Sequence, residues 1–174
     1  MSENANQISY LAAHIHVWWD ITQQCNFSCK HCYSNAQKIV KDELTTAEVF
    51  GIIDQLKETQ IGFVYILGGE PLIRPDFPRV LEKFRECGIP LMLNTNGWFM
   101  NEEWCRMIAN SSVKHLRFSL DGSTASTHDD LRGINVSFER VINGIKICRS
   151  LNIPKISCSY TVTSKSIGEI KPTC

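Results

Sequence analysis

Three cysteines stand within the stretch CNFSCKHCY, at Cys25, Cys29 and Cys32, with the spacing C-x3-C-x2-C and no fourth cysteine nearby. Thiols crowded in this way bind metal through their thiolate form. A structural zinc site takes four ligands, and His31 lies between the last two cysteines, so a Cys3His zinc set is one reading. Against it, His31 and Cys32 are adjacent, and adjacent side chains converge poorly on one tetrahedral ion. A cubane iron–sulfur cluster takes four thiolates. With three, one iron keeps open positions, and those suit a ligand that offers both an amine and a carboxylate. Three reduced thiols with no metal is the remaining reading, and it gives the loop no reason for its composition.

The surrounding pattern shows what must position this loop. HVWWDIT (16 to 22) alternates and is rich in aromatic and β-branched residues, which predicts a strand. Residues 45 to 60 carry an apolar stripe at Val49, Ile52, Ile53 and Leu56, with Thr45 and Glu48 spaced for a capping box. Further strands are expected at 63–67, 90–95, 115–120 and 155–162, and helices at 75–87, 101–110 and 137–151. Asn101 is placed to cap the helix that follows it. Strands alternating with helices imply parallel βα units, and continuous apolar strands imply cover on both faces. The fold class is therefore α/β, either an open doubly wound sheet or part of a βα barrel. Each unusual loop follows a strand: the cysteines, then GGEP (68 to 71), NTNG (94 to 97) and SLDG (119 to 122). In parallel α/β folds the C-terminal strand ends form one rim, so these four loops are expected to meet there.

Totals exclude several classes. Eighteen basic residues balance eighteen acidic ones in 174, and no basic block occurs, which argues against nucleic acid or an anionic membrane as the main partner. No apolar run reaches the length of a membrane span. The N-terminus has no basic start, and His14, His16 and Asp20 interrupt its apolar stretch, so it does not read as a signal peptide. A cytoplasmic, reducing location is expected, where disulfides are disfavoured. Cys87, Cys105, Cys148 and Cys158 fall in expected helices or a strand and read as small buried apolar residues, and no role is assigned to Cys174. His14, His16, Trp18 and Trp19 read as packing residues.

The cysteine spacing, followed one βα unit later by Gly68-Gly69-Glu70-Pro71 and then by SLDG, resembles the radical S-adenosylmethionine (SAM) superfamily. DITQQCNFSCKHCYS and SLDGSTASTHDDLRG are most similar to its peptide-maturing and haem-pathway branch, many members of which add a C-terminal SPASM domain with further clusters. The resemblance implies a 4Fe-4S cluster on Cys25, Cys29 and Cys32, with the fourth iron chelating the methionine end of SAM. One electron would then cleave SAM to methionine and a 5'-deoxyadenosyl radical, which abstracts hydrogen from a peptide or a tetrapyrrole precursor. It implies SAM contacts from His31, from the backbone at Gly68 and Gly69, from Ser119 and Asp121 at the ribose, and from Arg132 at the methionine carboxylate. Glu70 would hold its loop or pair an arginine, and Asn94 and Asn96 would face SAM or substrate. Flavodoxin or ferredoxin is the implied electron donor.

The family barrel has six βα units, whereas an eight-unit barrel of about 250 residues sets about 31 per unit. By that measure the chain holds five and a fraction, a partial (β/α)6-type barrel. Residues 1–14 are expected as an N-terminal extension and 15–174 as a radical SAM core that lacks strand 6. Strand 5 would then be an edge, which proteins normally cover. The chain would be a piece of a longer protein, have a partner chain on that edge, or bind cluster and SAM without efficient turnover.

Overall fold

A computed structural model describes residues 16–36, 42–59, 61–151 and 153–170. The 1–14 extension, His14 and Cys174 lie outside the described residues.

Five strands form one sheet: β1 (His16–Asp20), β2 (Phe63–Leu67), β3 (Leu91–Thr95), β4 (Val113–Ser119) and β5 (Ile156–Ser159). All are parallel, in the order β1-β2-β3-β4-β5. The order never reverses, so there is no switch point of the doubly wound kind. With right-handed crossovers every helix falls on one face, as in a βα barrel. The open alternative is thereby settled in favour of a partial barrel of five units.

The helices are α1 (Thr46–Glu58), α2 (Phe77–Glu86), α3 (Glu102–Ala109), α4 (Ala125–Arg132) and α5 (Ser137–Ser150). Local chemistry accounts for their starts. Thr45 and Glu48 form the expected capping box on α1. Asn101 accepts from Trp104 N–H at the start of α3, with Glu102 and Glu103 in the first turn. Helix α2 begins two residues later than expected, after Pro75, with Pro78 in its first turn. Helix α4 was not expected: Thr124 caps it and Gly133, at φ 69°, ends it in the left-handed conformation. From α4, Asp129 then caps α5 by accepting from Val136 N–H, Ser137 Oγ and Phe138 N–H.

The core lies between sheet and helices. Val64 and Ile66 of β2 are fully buried, with Val49 and Ile53 of α1 and Phe77, Leu81 and Phe84 in the same cluster. Among the described strands β3 comes nearest to the buried run expected of a strand covered on both faces, with Leu91, Met92, Leu93 and Thr95 buried and Asn94 half-buried. In β2 burial alternates, because Phe63, Tyr65 and Leu67 look onto a concave face without helices. Trp18 is exposed on that face and stacks on Tyr65, with centroids 4.2 Å apart, whereas Trp19 packs toward Phe84.

Two cysteine expectations need correction. Cys105 and Cys148 are buried but joined as a disulfide between α3 and α5, with Cα atoms 5.4 Å apart. That separation is within the usual disulfide range. Cys158 is exposed on β5 rather than buried.

Glycines separate free space from enforced contact. A Cβ at Gly51, exposed within α1, would meet nothing within 4 Å, whereas one at Gly69 would lie 2.0 Å from the Gln24 carbonyl oxygen. Gly51→Ala is expected to raise unfolding stability by about 1 kcal/mol, and Gly69→Ala to lower it by roughly 3 kcal/mol, both read from urea denaturation midpoints.

Candidate functional site: a thiol-lined cavity at the strand ends

A cavity of about 240 Å³ opens at the C-terminal ends of the strands. All four loops reach it, joined by Ser159 and Thr161 after β5. Cys25, Cys29 and Cys32 line it together with His31, Gly68, Gly69, Asn94, Asn96, Ser119 and Arg132.

The three sulfur atoms share one feature: each has N–H groups aimed at it. Cys25 Sγ accepts from Phe27 N–H at 3.4 Å and from Asn96 Nδ2 at 3.9 Å. Cys29 Sγ accepts from Arg132 Nη1 at 3.7 Å, and Cys32 Sγ from Ala36 N–H at 3.5 Å. Burial pushes the Cys25 thiol up to about 11, and burial also raises Cys29, against the lowering charge of Arg132. For Cys32, burial raises the pKa, but the Ser34 hydroxyl and the N–H groups of Ala36, Ser34 and Asn35 outweigh it, so the net shift is downward. Donors around each sulfur suit anionic thiolates, the form that a metal centre requires. Among the described residues, no three of His, Cys, Asp and Glu are placed to share one metal ion. Three cavity-lining thiols, each supplied with N–H donors, are a donor set chemically compatible with an iron–sulfur cluster.

The GGEP loop is held from beneath. Gly69 N–H donates to Thr22 O at 2.7 Å and Glu70 N–H to Gln24 O at 2.8 Å, which ties the loop to the chain leading into the cysteines. Gly68 adopts φ 119°, and a Cβ there would lie 2.2 Å from Thr22 O. This backbone crossing alone therefore requires glycine at both positions. Glu70 is fully buried and does not face the cavity. Its carboxylate accepts from Asn96 N–H at 2.7 Å, Thr95 Oγ1 at 2.9 Å and Leu72 N–H at 3.3 Å. Burial pushes Glu70 up to about 7, against the pull of these donors and of the Arg132 charge. It is a positioning residue that fixes the end of β3 to the end of β2.

Asp121 does the same on the other side. It is fully buried; its Oδ2 lies 2.6 Å from Arg132 Nη2 and 3.2 Å from His31 Nε2, and its Oδ1 accepts from Thr161 N–H at 2.8 Å. Asp121 thus sits behind the cavity wall, and Arg132 is a buried ion-pair partner rather than a solvated arginine. Burial lowers the His31 pKa, Asp121 raises it and Arg132 lowers it further. Gly133 packs α4 onto the cysteine loop, since a Cβ there would lie 2.6 Å from Ser28 O, and Lys30 N–H donates to Leu131 O at 2.9 Å.

His128 was not foreseen. It is fully buried and accepts the Asp121 N–H at Nδ1, 3.1 Å away. Its signals were local: a histidine one turn before Arg132, between the cap residues Thr124 and Gly133.

The matches to known proteins follow the same residues. The profile described as Radical SAM superfamily matches residues 19–167, and the chain belongs to that superfamily. It is 33% identical over 89% of its length to an AdoMet-dependent heme synthase of Methanosarcina barkeri, and covers 44% of that protein. It is 32% identical over 92% of its length to the mycofactocin maturase MftC of Mycobacterium ulcerans, and covers 43% of it. The chain thus spans less than half the length of these relatives, which are enzymes. In fold it resembles Streptococcus suis SuiB bound to its precursor peptide SuiA, with TM-score 0.78, 22% identity, and coverage of 94% of this chain and 37% of that one. It likewise resembles anSMEcpe with bound AdoMet, with TM-score 0.68, 20% identity and coverage of 82% and 43%. Among the described residues no helix is long and apolar enough to cross a membrane.

Burial, then the charge of Arg132, lowers the His128 pKa to about 4. The ordinary value is about 6.5, so between these limits the unfolded chain binds the proton and the folded one does not. This contribution to stability is complete above pH ~6.5 and is lost as pH falls toward ~4, about 3 kcal/mol in all. His128→Asn keeps an acceptor near Nδ1 and does not titrate. Urea midpoints measured from pH 7 to 4 are expected to fall less steeply for this variant than for the parent chain.

Proposed function

We propose that this chain carries the cluster- and SAM-binding part of a radical SAM enzyme, with a 4Fe-4S cluster on Cys25, Cys29 and Cys32. The observation that carries the reading is the set of three cavity-facing sulfur atoms, each supplied with N–H donors. A cluster held by these three thiols would supply one-electron reducing chemistry to SAM bound beside it, the chemistry by which SAM is cleaved in this superfamily. The chain's own residues bind and orient. Asn96 and Arg132 offset negative charge on Cys25 and Cys29. His31, Ser119 and the Gly68–Gly69 backbone face the space beside the thiols and would receive SAM there. Phe27, edge-on to Trp98 at 5.6 Å, helps to shield that wall from water.

The substrate is a peptide or a tetrapyrrole precursor. The maturase and haem-synthase relatives support that pair, and the peptide-bound neighbour supports the fold in which a peptide is received. Electron supply would come from a flavodoxin or ferredoxin, in the cytoplasm. A second reading, binding of cluster and SAM without turnover by this chain alone, draws on its coverage of less than half of each relative. It also draws on β5 forming an edge of the sheet among the described residues, which a partner chain would cover.

Anaerobic reconstitution with iron and sulfide, followed by dithionite and SAM, separates the two readings. Visible absorption of a cluster together with 5'-deoxyadenosine, both lost in Cys29→Ala, is the expected outcome. A cluster without deoxyadenosine would support the second reading.

A further inference from the structure

The donors around the three thiols differ in charge. Cys32 Sγ receives a backbone N–H from Ala36. Cys25 Sγ receives the Phe27 N–H and the neutral side-chain amide of Asn96. Of the three, only Cys29 Sγ receives an N–H from a charged group, Arg132 Nη1 at 3.7 Å.

Arg132 is held for this contact. It is buried, and its other terminal nitrogen, Nη2, lies 2.6 Å from the fully buried carboxylate of Asp121. Asp121 is fixed in turn by the Thr161 N–H at its Oδ1 and by its own N–H to His128. The residue after Arg132, Gly133, ends α4 against the Ser28 carbonyl, which seats the helix end on the cysteine loop. The two charges of the pair do not cancel at the sulfur, because the guanidinium contacts Cys29 and the carboxylate contacts the guanidinium. Burial raises the Cys29 thiol pKa most, and of the two charges Arg132 lowers it more than Asp121 raises it.

Resting on the reading that Cys25, Cys29 and Cys32 hold a cluster, we propose that Arg132 sets the reduction potential of that cluster through the Cys29 thiolate, with Asp121 as the positioning residue that aims it. Reduction brings in one electron and adds one negative charge. A positive N–H donor on a ligand sulfur favours the form that carries the added charge, so it raises the potential. Burial of Cys25 and Cys29 works the other way, since a low dielectric disfavours added charge. Arg132 thus keeps a buried, thiolate-rich site within reach of its electron donor. This role does not need SAM, and it is therefore separable from any contact between Arg132 and the methionine carboxylate.

The test loads the chain anaerobically with iron and sulfide and omits SAM. The ratio of reduced to oxidised cluster is read by EPR at one fixed potential, set with dithionite and mediator dyes near the midpoint of the parent chain. Arg132→Gln and Arg132→Met remove the charge and keep most of the volume. In both, the ratio is expected to fall about tenfold, which for one electron is a midpoint about 59 mV lower. Arg132→Lys keeps the charge and is expected to recover part of that loss. Asn96→Ala removes a neutral donor from Cys25 and is expected to lower the ratio only about threefold. A merely structural role for Arg132 predicts the opposite sign, because a loosened site admits water, and water favours the more charged, reduced form. Ratios within about twofold of the parent in whichever neutral variant loads, a rise in the ratio, or an equal fall in Asn96→Ala would overturn the proposal. A parent chain that takes up no cluster would overturn the proposed function and this inference with it, whereas a loaded parent with unchanged ratios in the variants overturns this inference alone.

Discussion

The site depends on one buried carboxylate. Asp121 leaves the end of β4 and meets Arg132 from α4, His31 from the cysteine loop and the backbone of Thr161 after β5. Its own N–H is received by His128. The cysteine loop, the β4–α4 stretch and the chain after β5 are thereby brought to one point. A buried ion pair is a poor source of net stability beside apolar packing of the same volume. What it supplies is direction: Arg132 is held with Nη1 toward Cys29, and His31 is held at the cavity.

Glu70 makes a matching clamp on the other flank. Its backbone binds the chain before the cysteines, and its side chain binds the end of β3. The cysteine loop is thus gripped from both sides, by GGEP through Thr22 and Gln24 and by α4 through Ser28 and Lys30. Loops are ordinarily the mobile part of a fold. Here the loop that would carry the metal is braced by backbone crossings too close for any side chain.

Much of this was legible in the chain. The thiol spacing, the βα alternation and the glycine and asparagine punctuation placed four loops on one rim, where they line one cavity. Other parts were not legible, for physical reasons. Helix α4 is eight residues long and buries His128, Leu131 and Arg132, so it lacks the apolar stripe that announces a helix. The Gly68–Gly69 pair read as a way to approach a ligand, because its close neighbours, Thr22 and Gln24, are more than forty residues earlier in the chain. The Cys105–Cys148 bond joins residues 43 apart, and no local pattern encodes such a pairing. Asp121, expected from the resemblance at the SAM ribose, instead binds His31, Arg132 and Thr161, partners that no local pattern around SLDG announces.

The distance along the chain between Arg132 and Cys29, 103 residues, has a consequence for biosynthesis. Domains fold as the ribosome delivers them, at about 5–20 residues per second. The three thiols emerge early, but the helix that backs them is made roughly a hundred residues later, an interval of about 5 to 20 seconds at that rate. The Glu70 clamp has all its parts once Asn96 is made, but the α4 clamp is absent throughout that interval. Nascent thiols in such a state are open to oxidation and to stray metals, so the order of the chain itself favours loading of the thiols only after translation has passed α4, when the cavity is closed behind them.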